Sequence, residues 1–261
     1  MTSGPTDGER LRARGVTGER SNIGQVTGQV MRQVWRHLGF LHWPIAIDAI
    51  APLLPPGLSL DTFDGVAYIG VVPFTIPLSR TPRLGMPVAP AFHELNLRTY
   101  VHRAGRDPGV WFFSLDATSR LAVAGARLAY HLPYFYARIG MEISKGPSIA
   151  YRASRSRSPA GGLQAEFSAR YAPTGPVALA EVGSLEFFLA ERYLLYSWNG
   201  RALSSARVHH APYPLQPAVA FDVRQSLSGV AGLPPMDAPP PLVHYARDVD
   251  VLIERPRRVQ M

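Results

Sequence analysis

Phe92-His93-Glu94-Leu95-Asn96-Leu97-Arg98-Thr99-Tyr100-Val101 is the stretch on which the reading of this chain turns. Side chains alternate faces along a strand, so Glu94, Asn96 and Arg98 share one face, and Leu95, Leu97 and Val101 share the other. A second strand, Val110 to Ala117, follows across Ala104-Gly105-Arg106-Asp107-Pro108-Gly109. It sets Phe112, Ser114 and Asp116 against Trp111, Phe113 and Leu115. Pairing apolar row with apolar row brings the polar rows together. The expected register therefore sets Arg98 near Ser114 and Asn96 near Asp116. Two residues of strand span about 6.6 Å, so Glu94 and Arg98 stand about 13 Å apart, and Asn96 with Ser114 or Asp116 would bridge them. Such a row is either the watered face of an antiparallel sheet or the polar lining of a barrel. Phe92, Tyr100 and Phe112 on the same face favour a lined pocket.

Outward from this hairpin, the chain reads as strands with few helices. Trp43 to Leu54 reads as a short helix with Pro44 in its first turn, and Pro55-Pro56 stops it. Leu58 to Phe63 and Val66 to Ile76 read as strands about an Asp64-Gly65 turn, and Pro77 to Pro90 as a loop. Ser119 to Tyr130 has helical composition, ended by Pro133. Strands follow near 135–143, 147–154 and 163–171. Ser184 caps a predicted helix, Leu185 to Glu191. Tyr193 to Trp198 and Arg201 to Val208 flank Asn199-Gly200, a strong hairpin signal, and Ala218 to Gln225 and Leu242 to Glu254 are late strands. No βαβ rhythm and no internal repeat is present. The class is mainly β (α+β), as one domain over residues 29–261. Residues 1–28, rich in Gly, Thr, Ser and charge, read as a disordered N-terminal extension. Ordered sequence is expected from near Met31, which is itself a candidate start codon.

Composition narrows the function. The 261 residues are 46% hydrophobic, enough for a sizeable core, and contain no cysteine. That removes disulfides, thiol nucleophiles and thiolate metal sites, and fits a cytoplasmic protein. No signal peptide and no apolar run of roughly 18 residues is visible, so no membrane partner is expected. The formal charge of +8 comes almost wholly from scattered arginine, Lys145 being the only lysine. Nucleic-acid binding wants a basic stripe within a recognisable module, and none is found. Phosphate loops, dinucleotide fingerprints and hydrolase or metalloprotease motifs are also missing. A small-molecule ligand is the expected partner, with room for a homo-oligomer and no cofactor implied.

Three further positions are candidates. His209-His210 would point apart on a strand, a poor chelating pair, which leaves His210 as either a pocket or a packing residue and no metal site. Tyr134, in Pro133-Tyr134-Phe135-Tyr136, is either core or a cavity phenol in need of a partner. Arg127 should find a carboxylate or the ligand, since a buried unpaired arginine is costly.

Phe40-Leu41-His42-Trp43, Leu54-Pro55, Leu60-Asp61-Thr62-Phe63-Asp64-Gly65, the Phe92–Val101 strand and Gly109 to Ala117 resemble the YqjF-like domain-of-unknown-function family of bacteria. So do Leu132-Pro133-Tyr134, Ser184-Leu185-Glu186, Glu191-Arg192-Tyr193 and His210-Ala211-Pro212, which extends the resemblance over about Met31 to Val259. That family in turn resembles the acetoacetate decarboxylase fold. The resemblance implies a cone-shaped antiparallel β barrel with a few peripheral helices and a cavity, in which Glu94 matches the cavity glutamate. Decarboxylases of that fold carry a Schiff-base lysine just after the proline corresponding to Pro133. Here Tyr134 and Phe135 follow it, and Lys145 sits in a Ser-Lys-Gly-Pro turn. An imine mechanism needs a primary amine with a lowered pKa, so it is not expected. The expected function is a pocket for a small keto or carboxylate compound. If the protein is an enzyme, Glu94 is acid or base and Arg98 holds an anionic oxygen, with Asn96, Ser114, Asp116, Tyr134, Arg127 and His210 around the ligand. That is lyase- or isomerase-type chemistry; the alternative is a non-catalytic binding or sensing module.

Overall fold

A computed structural model describes residues 28–156 and 164–260. The extension expected over residues 1–28 lies outside these, save for the turn residue Gly28. The chain begins with β1 (Gln29–Ile45), α1 (Ile47–Ile50), β2 (Ser59–Leu60), β3 (Ala67–Arg80) and β4 (Pro87–Ala89). The central hairpin is β5 (Phe92–Arg103) and β6 (Arg106–Ala117), followed by α2 (Arg120–Tyr130) and β7 (Tyr134–Tyr136). Next come β8 (Arg138–Ile143), β9 (Ile149–Arg155), β10 (Ala165–Pro173) and α3 (Leu185–Ala190). The chain continues through β11 (Leu194–Trp198), β12 (Leu203–His210), β13 (Leu215–Gln225), α4 (Leu227–Val230), β14 (Leu242–Glu254) and β15 (Arg257–Arg258).

Seven strands close a barrel in the order β6-β5-β3-β1-β14-β12-β11, with β11 returning to β6. Its joints are antiparallel except this last, where Leu195 and Tyr196 run parallel to Val110 and Trp111. The rest of that β6 edge is taken by β7, also parallel, with Leu115 opposite Tyr134. A second sheet, β13-β10-β9-β8, branches from β14 through Leu215–Pro217 and covers the outside of the wall. The two largest cores among the described residues lie on either side of the wall. Leu38, Phe40, Val72, Phe74, Tyr100 and Phe112 pack inside the barrel. Leu41, Trp43, Ile69, Val71, Leu95 and Leu97 pack outward against Tyr151, Phe167 and Tyr171 of the outer sheet.

β1 runs through the stretch whose end reads as helix, and only Ile47–Ile50 and a following 3-10 turn, Ala51–Leu53, are helical. Both faces of β1 are covered, so its Trp-Arg-His-Leu-Gly-Phe-Leu-His-Trp run shows no clean alternation. β3 extends to Arg80 despite Pro73 and Pro77, where a loop is expected from residue 77. Proline cannot donate to a ladder, and the β1–β3 register explains the tolerance. It jumps from Arg36↔Thr75 to Leu41↔Val71, and from Val34↔Leu78 to Arg36↔Thr75, so each proline faces a gap. His37 takes a left-handed φ of 56° within the larger gap.

The two-residue turn Ala104-Gly105 (φ 43° and 76°) fits a tight hairpin joining β5 to β6. The β5–β6 register differs from the expected one. Leu97 lies opposite Ser114, Asn96 opposite Leu115 and Leu95 opposite Asp116, with a break before Arg98↔Phe112. The break is a bulge at Phe113, and an extra residue re-phases the alternation. Phe112 and Leu115 both point inward, and Ser114 and Asp116 point outward. A sheet covered on both sides does not require polar rows to adjoin.

Candidate functional site

The inward row of β5 is buried: Glu94, Asn96 and Arg98 are 4%, 5% and 7% exposed. The watered-face reading therefore gives way to the barrel lining. All three border an interior cavity of about 370 Å³. Its deep end is formed by Arg98, Arg192, Tyr213 and Phe40. Its mouth lies under α2 and β4, where Leu121 and Val88 are exposed lining residues. Val72, Phe74, Phe112 and Leu115 form much of the wall between.

Glu94 is held from both sides of the wall, by its backbone from outside and by its side chain from within. The Tyr151 hydroxyl of the outer sheet donates to the Glu94 carbonyl at 2.8 Å. Inside, the Tyr134 hydroxyl donates to Glu94 Oε2 at 2.8 Å. Tyr134 reaches the cavity because α2 ends at His131, whose left-handed φ of 54° turns the chain into β7. Ser119 caps the other end of α2 by accepting from the Ala122 amide.

Burial pushes the Glu94 carboxyl up to about 8, against the smaller opposing pull of hydrogen bonds from Tyr134 and Asn96. At neutral pH Glu94 is therefore mostly protonated. The Asn96 amide donates to Glu94, and its Oδ1 has no partner among the described residues. Tyr134 is itself held well above the usual phenol range, first by burial and then by Glu94.

Arg98 is the other pole. One terminal nitrogen donates to the Leu189 carbonyl at 3.0 Å, on the last turn of α3. Tyr100 donates to the same oxygen at 2.7 Å, and the guanidinium lies 5.6 Å from the Phe40 ring centre and 5.7 Å from that of Tyr100. Arg98 Nε has no partner, and no carboxylate stands within ion-pair distance of Arg98, among the described residues. Arg192 differs, being paired with Asp61 at 2.8 Å with both side chains buried.

The structure thus gathers Glu94, Arg98, Asn96 and Tyr134 on one cavity and places the remaining candidates elsewhere. Ser114 and Asp116 face the outer sheet, where Asp116 meets Arg155 at 3.2 Å. Burial raises the Asp116 carboxyl to about 6 in spite of that arginine. Arg127 finds neither a carboxylate nor the cavity. It lies on the exposed side of α2, its Nε donating to the Tyr134 carbonyl at 2.6 Å and its guanidinium 5.2 Å from the Phe135 ring centre. His210 sits one layer behind the wall, 4.6 Å from the Tyr193 ring and 4.5 Å from the Tyr213 ring. Its Nδ1 is 2.8 Å from the Ala211 carbonyl, and burial lowers the imidazole to about 4. His209 points the other way, to Glu254 at 2.7 Å.

Gln33, Trp35, Arg192 and Tyr213 line the cavity without having been candidates. The first two required β1 to be read as a strand, and Arg192 and Tyr213 are brought in by long-range pairing that no local pattern announces. Lys145 is exposed in the turn between β8 and β9 and is not among the lining residues. No group of three or more His, Asp or Glu side chains fit to hold a metal ion occurs among the described residues. No helix among them is long and apolar enough to cross a membrane.

Among solved structures, acetoacetate decarboxylase from Legionella pneumophila superposes with a TM-score of 0.61 at 12% identity, covering 93% of this chain and 94% of that one. The enduracididine biosynthesis enzyme MppR, complexed with pyruvate, gives 0.60 at 13% identity, covering 93% and 95%. An acetoacetate decarboxylase-like enzyme from Sphingomonas wittichii RW1 gives 0.61 at 13%, covering 89% and 94%. At these identities the likeness is one of fold, the acetoacetate-decarboxylase-like barrel. The uncharacterized protein YqjF of Bacillus subtilis is 42% identical over 226 residues, 85% of this chain and 90% of its own length. Residues 32–250 match DUF2071, described as an uncharacterized conserved protein, and the chain therefore belongs to that family.

Proposed function

We propose that this protein binds a small oxygenated organic acid, a keto or carboxylate compound, inside its barrel. Arg98 is the observation that carries the reading: a buried guanidinium on a largely apolar cavity, with an open Nε and no carboxylate at ion-pair distance among the described residues. A buried charge without a counter-charge costs several kcal/mol, only part of which the Leu189 carbonyl and the Phe40 and Tyr100 rings offset, and an anionic oxygen arriving in the cavity supplies the missing charge. A guanidinium matches a carboxylate by its planar fork of donors, and Asn96 Oδ1 offers an acceptor for a hydroxyl or an enol. The pyruvate bound by MppR, a barrel of the same fold, supports a ligand of this class.

The same geometry supports acid–base catalysis without an imine. Glu94, neutral near pH 7, can donate a proton to a carbonyl or hydroxyl oxygen of the ligand and take one back. Tyr134 and Asn96 fix its carboxyl plane. Hydration, dehydration or isomerisation beside a carbonyl fits one proton donor facing one anion clamp. The cysteine-free composition favours the cytoplasm, and we take residues 29–261 as one working unit.

Titration calorimetry with pyruvate and acetoacetate tests the binding reading. Wild type should bind one or both with heat, and Arg98→Met should weaken binding by ten-fold or more. Equal affinity of the two proteins for every acid would reject Arg98 as the clamp. Glu94→Gln separates catalysis from binding: it should leave affinity within a few-fold and abolish any turnover detected by NMR.

A further inference from the structure

Arg98 accounts for one end of a ligand, and the remaining walls describe the rest of it. A three- or four-carbon keto acid uses only the deep polar end. A volume of about 370 Å³ holds on the order of a dozen water-sized groups, and the wall from Arg98 to the mouth is mostly hydrocarbon: Leu38, Val72, Phe74, Phe112, Leu115 and Leu132. Glu94, Asn96 and Tyr134 apart, water filling that length would face mainly side chains that offer it no hydrogen bonds, whereas a bound ligand buries most of its own surface in such a wall.

The mouth is shaped for length as well. α2 sends Gly125, Ala126 and Ala129 to the cavity rim, and a Cβ built on Gly125 meets no atom within 4 Å. Small residues at that rim leave the axis of the cavity open past Tyr134, while Leu121 and Val88 extend the apolar surface to the exterior.

Resting on the reading that Arg98 holds an anionic oxygen, we propose that the ligand is an amphipathic carboxylic acid. Its carboxylate lies against Arg98, and a hydrocarbon body of about seven to nine carbons runs along Phe112 and Phe74 toward α2. Such a body passes Glu94 and Tyr134 partway along its length. Any oxygen on which Glu94 acts therefore sits on a carbon remote from the carboxylate and not on its α-carbon. Ala126 then acts as a residue that limits chain length.

Titration of the wild-type chain with acetate, butanoate, hexanoate and octanoate tests this class. Each buried methylene is worth ~0.8 kcal/mol, or about four-fold in affinity, so octanoate should bind on the order of a hundred-fold more tightly than butanoate. Ala126→Phe should weaken octanoate by about ten-fold or more and leave butanoate within two-fold. If that variant fails to fold, the wild-type series alone decides. Affinities equal from butanoate to octanoate, still lost in Arg98→Met, would overturn the amphipathic ligand and leave the anion clamp standing. Octanoate binding equally to wild type and Arg98→Met would overturn the clamp itself.

Discussion

Glu94 is a carboxylic acid whose environment makes it more comfortable protonated. Its ordinary value of 4.5 rises to about 8 in the fold. Between those pH values the folded state keeps a proton that the unfolded state has released, so this residue erodes stability as pH climbs through the window, and the erosion is complete above about pH 8. Glu94→Gln removes the titration and keeps an acceptor for the Tyr134 hydroxyl. Thermal melts should therefore coincide within a degree or two near pH 4.5. At pH 8.5 the variant should melt several degrees above wild type. Asp116, raised to about 6, has the same sign below pH 6 but cancels in the comparison. A wild type that is the more stable of the two at pH 8.5 would mean that Glu94 is held as a carboxylate, contrary to its role as a proton donor.

At the scale of elements, closure of the barrel depends on how closely β6 and β11 approach. A Cβ at Gly109 would stand 2.7 Å from the Leu194 carbonyl oxygen and 2.8 Å from the Tyr196 ring, and a backbone oxygen held in a ladder has little freedom to retreat. Gly109→Ala should cost about 1–3 kcal/mol, read as a lower urea midpoint at unchanged slope. The chain signalled this hairpin well. Its alternation, the composition of α2, the Ser184 cap and the Asn199-Gly200 turn are local features with local causes. What it did not signal is where the ladder is irregular. The bulge at Phe113 turned Ser114 and Asp116 away from the row they were expected to join. The gaps opposite Pro73 and Pro77 let β3 run on where its prolines announced a loop. Glu94, Asn96 and Arg98 were legible because they alternate on one strand. Tyr134 was legible only as one of two readings, a core aromatic or a cavity phenol in need of a partner, and its bond to Glu94 decides for the second. Gln33, Trp35, Arg192 and Tyr213 reach the same cavity through pairings that only the closed barrel creates.

At the scale of the whole molecule, a buried ion pair, Asp116 with Arg155, ties barrel to outer sheet, each side chain 2% exposed. Removing one member strands the other. Asp116→Leu or Arg155→Met alone should each cost about 3–5 kcal/mol in urea denaturation, and the double variant should recover most of that loss. A double variant no better than the sum of the singles would show that the two residues act independently. A last consequence follows from the pairing of β1 with β14. Arg32 and Asp250, neighbours across that ladder, are 218 residues apart in the chain. On the ribosome at about 5–20 residues per second, β1 emerges roughly 10–45 s before its partner. Through that interval one edge of β1 is bare and the barrel stands open along its length. Nascent chains of this protein should therefore lean on holding chaperones until β14 is made, a demand set by topology and independent of anything the cavity binds.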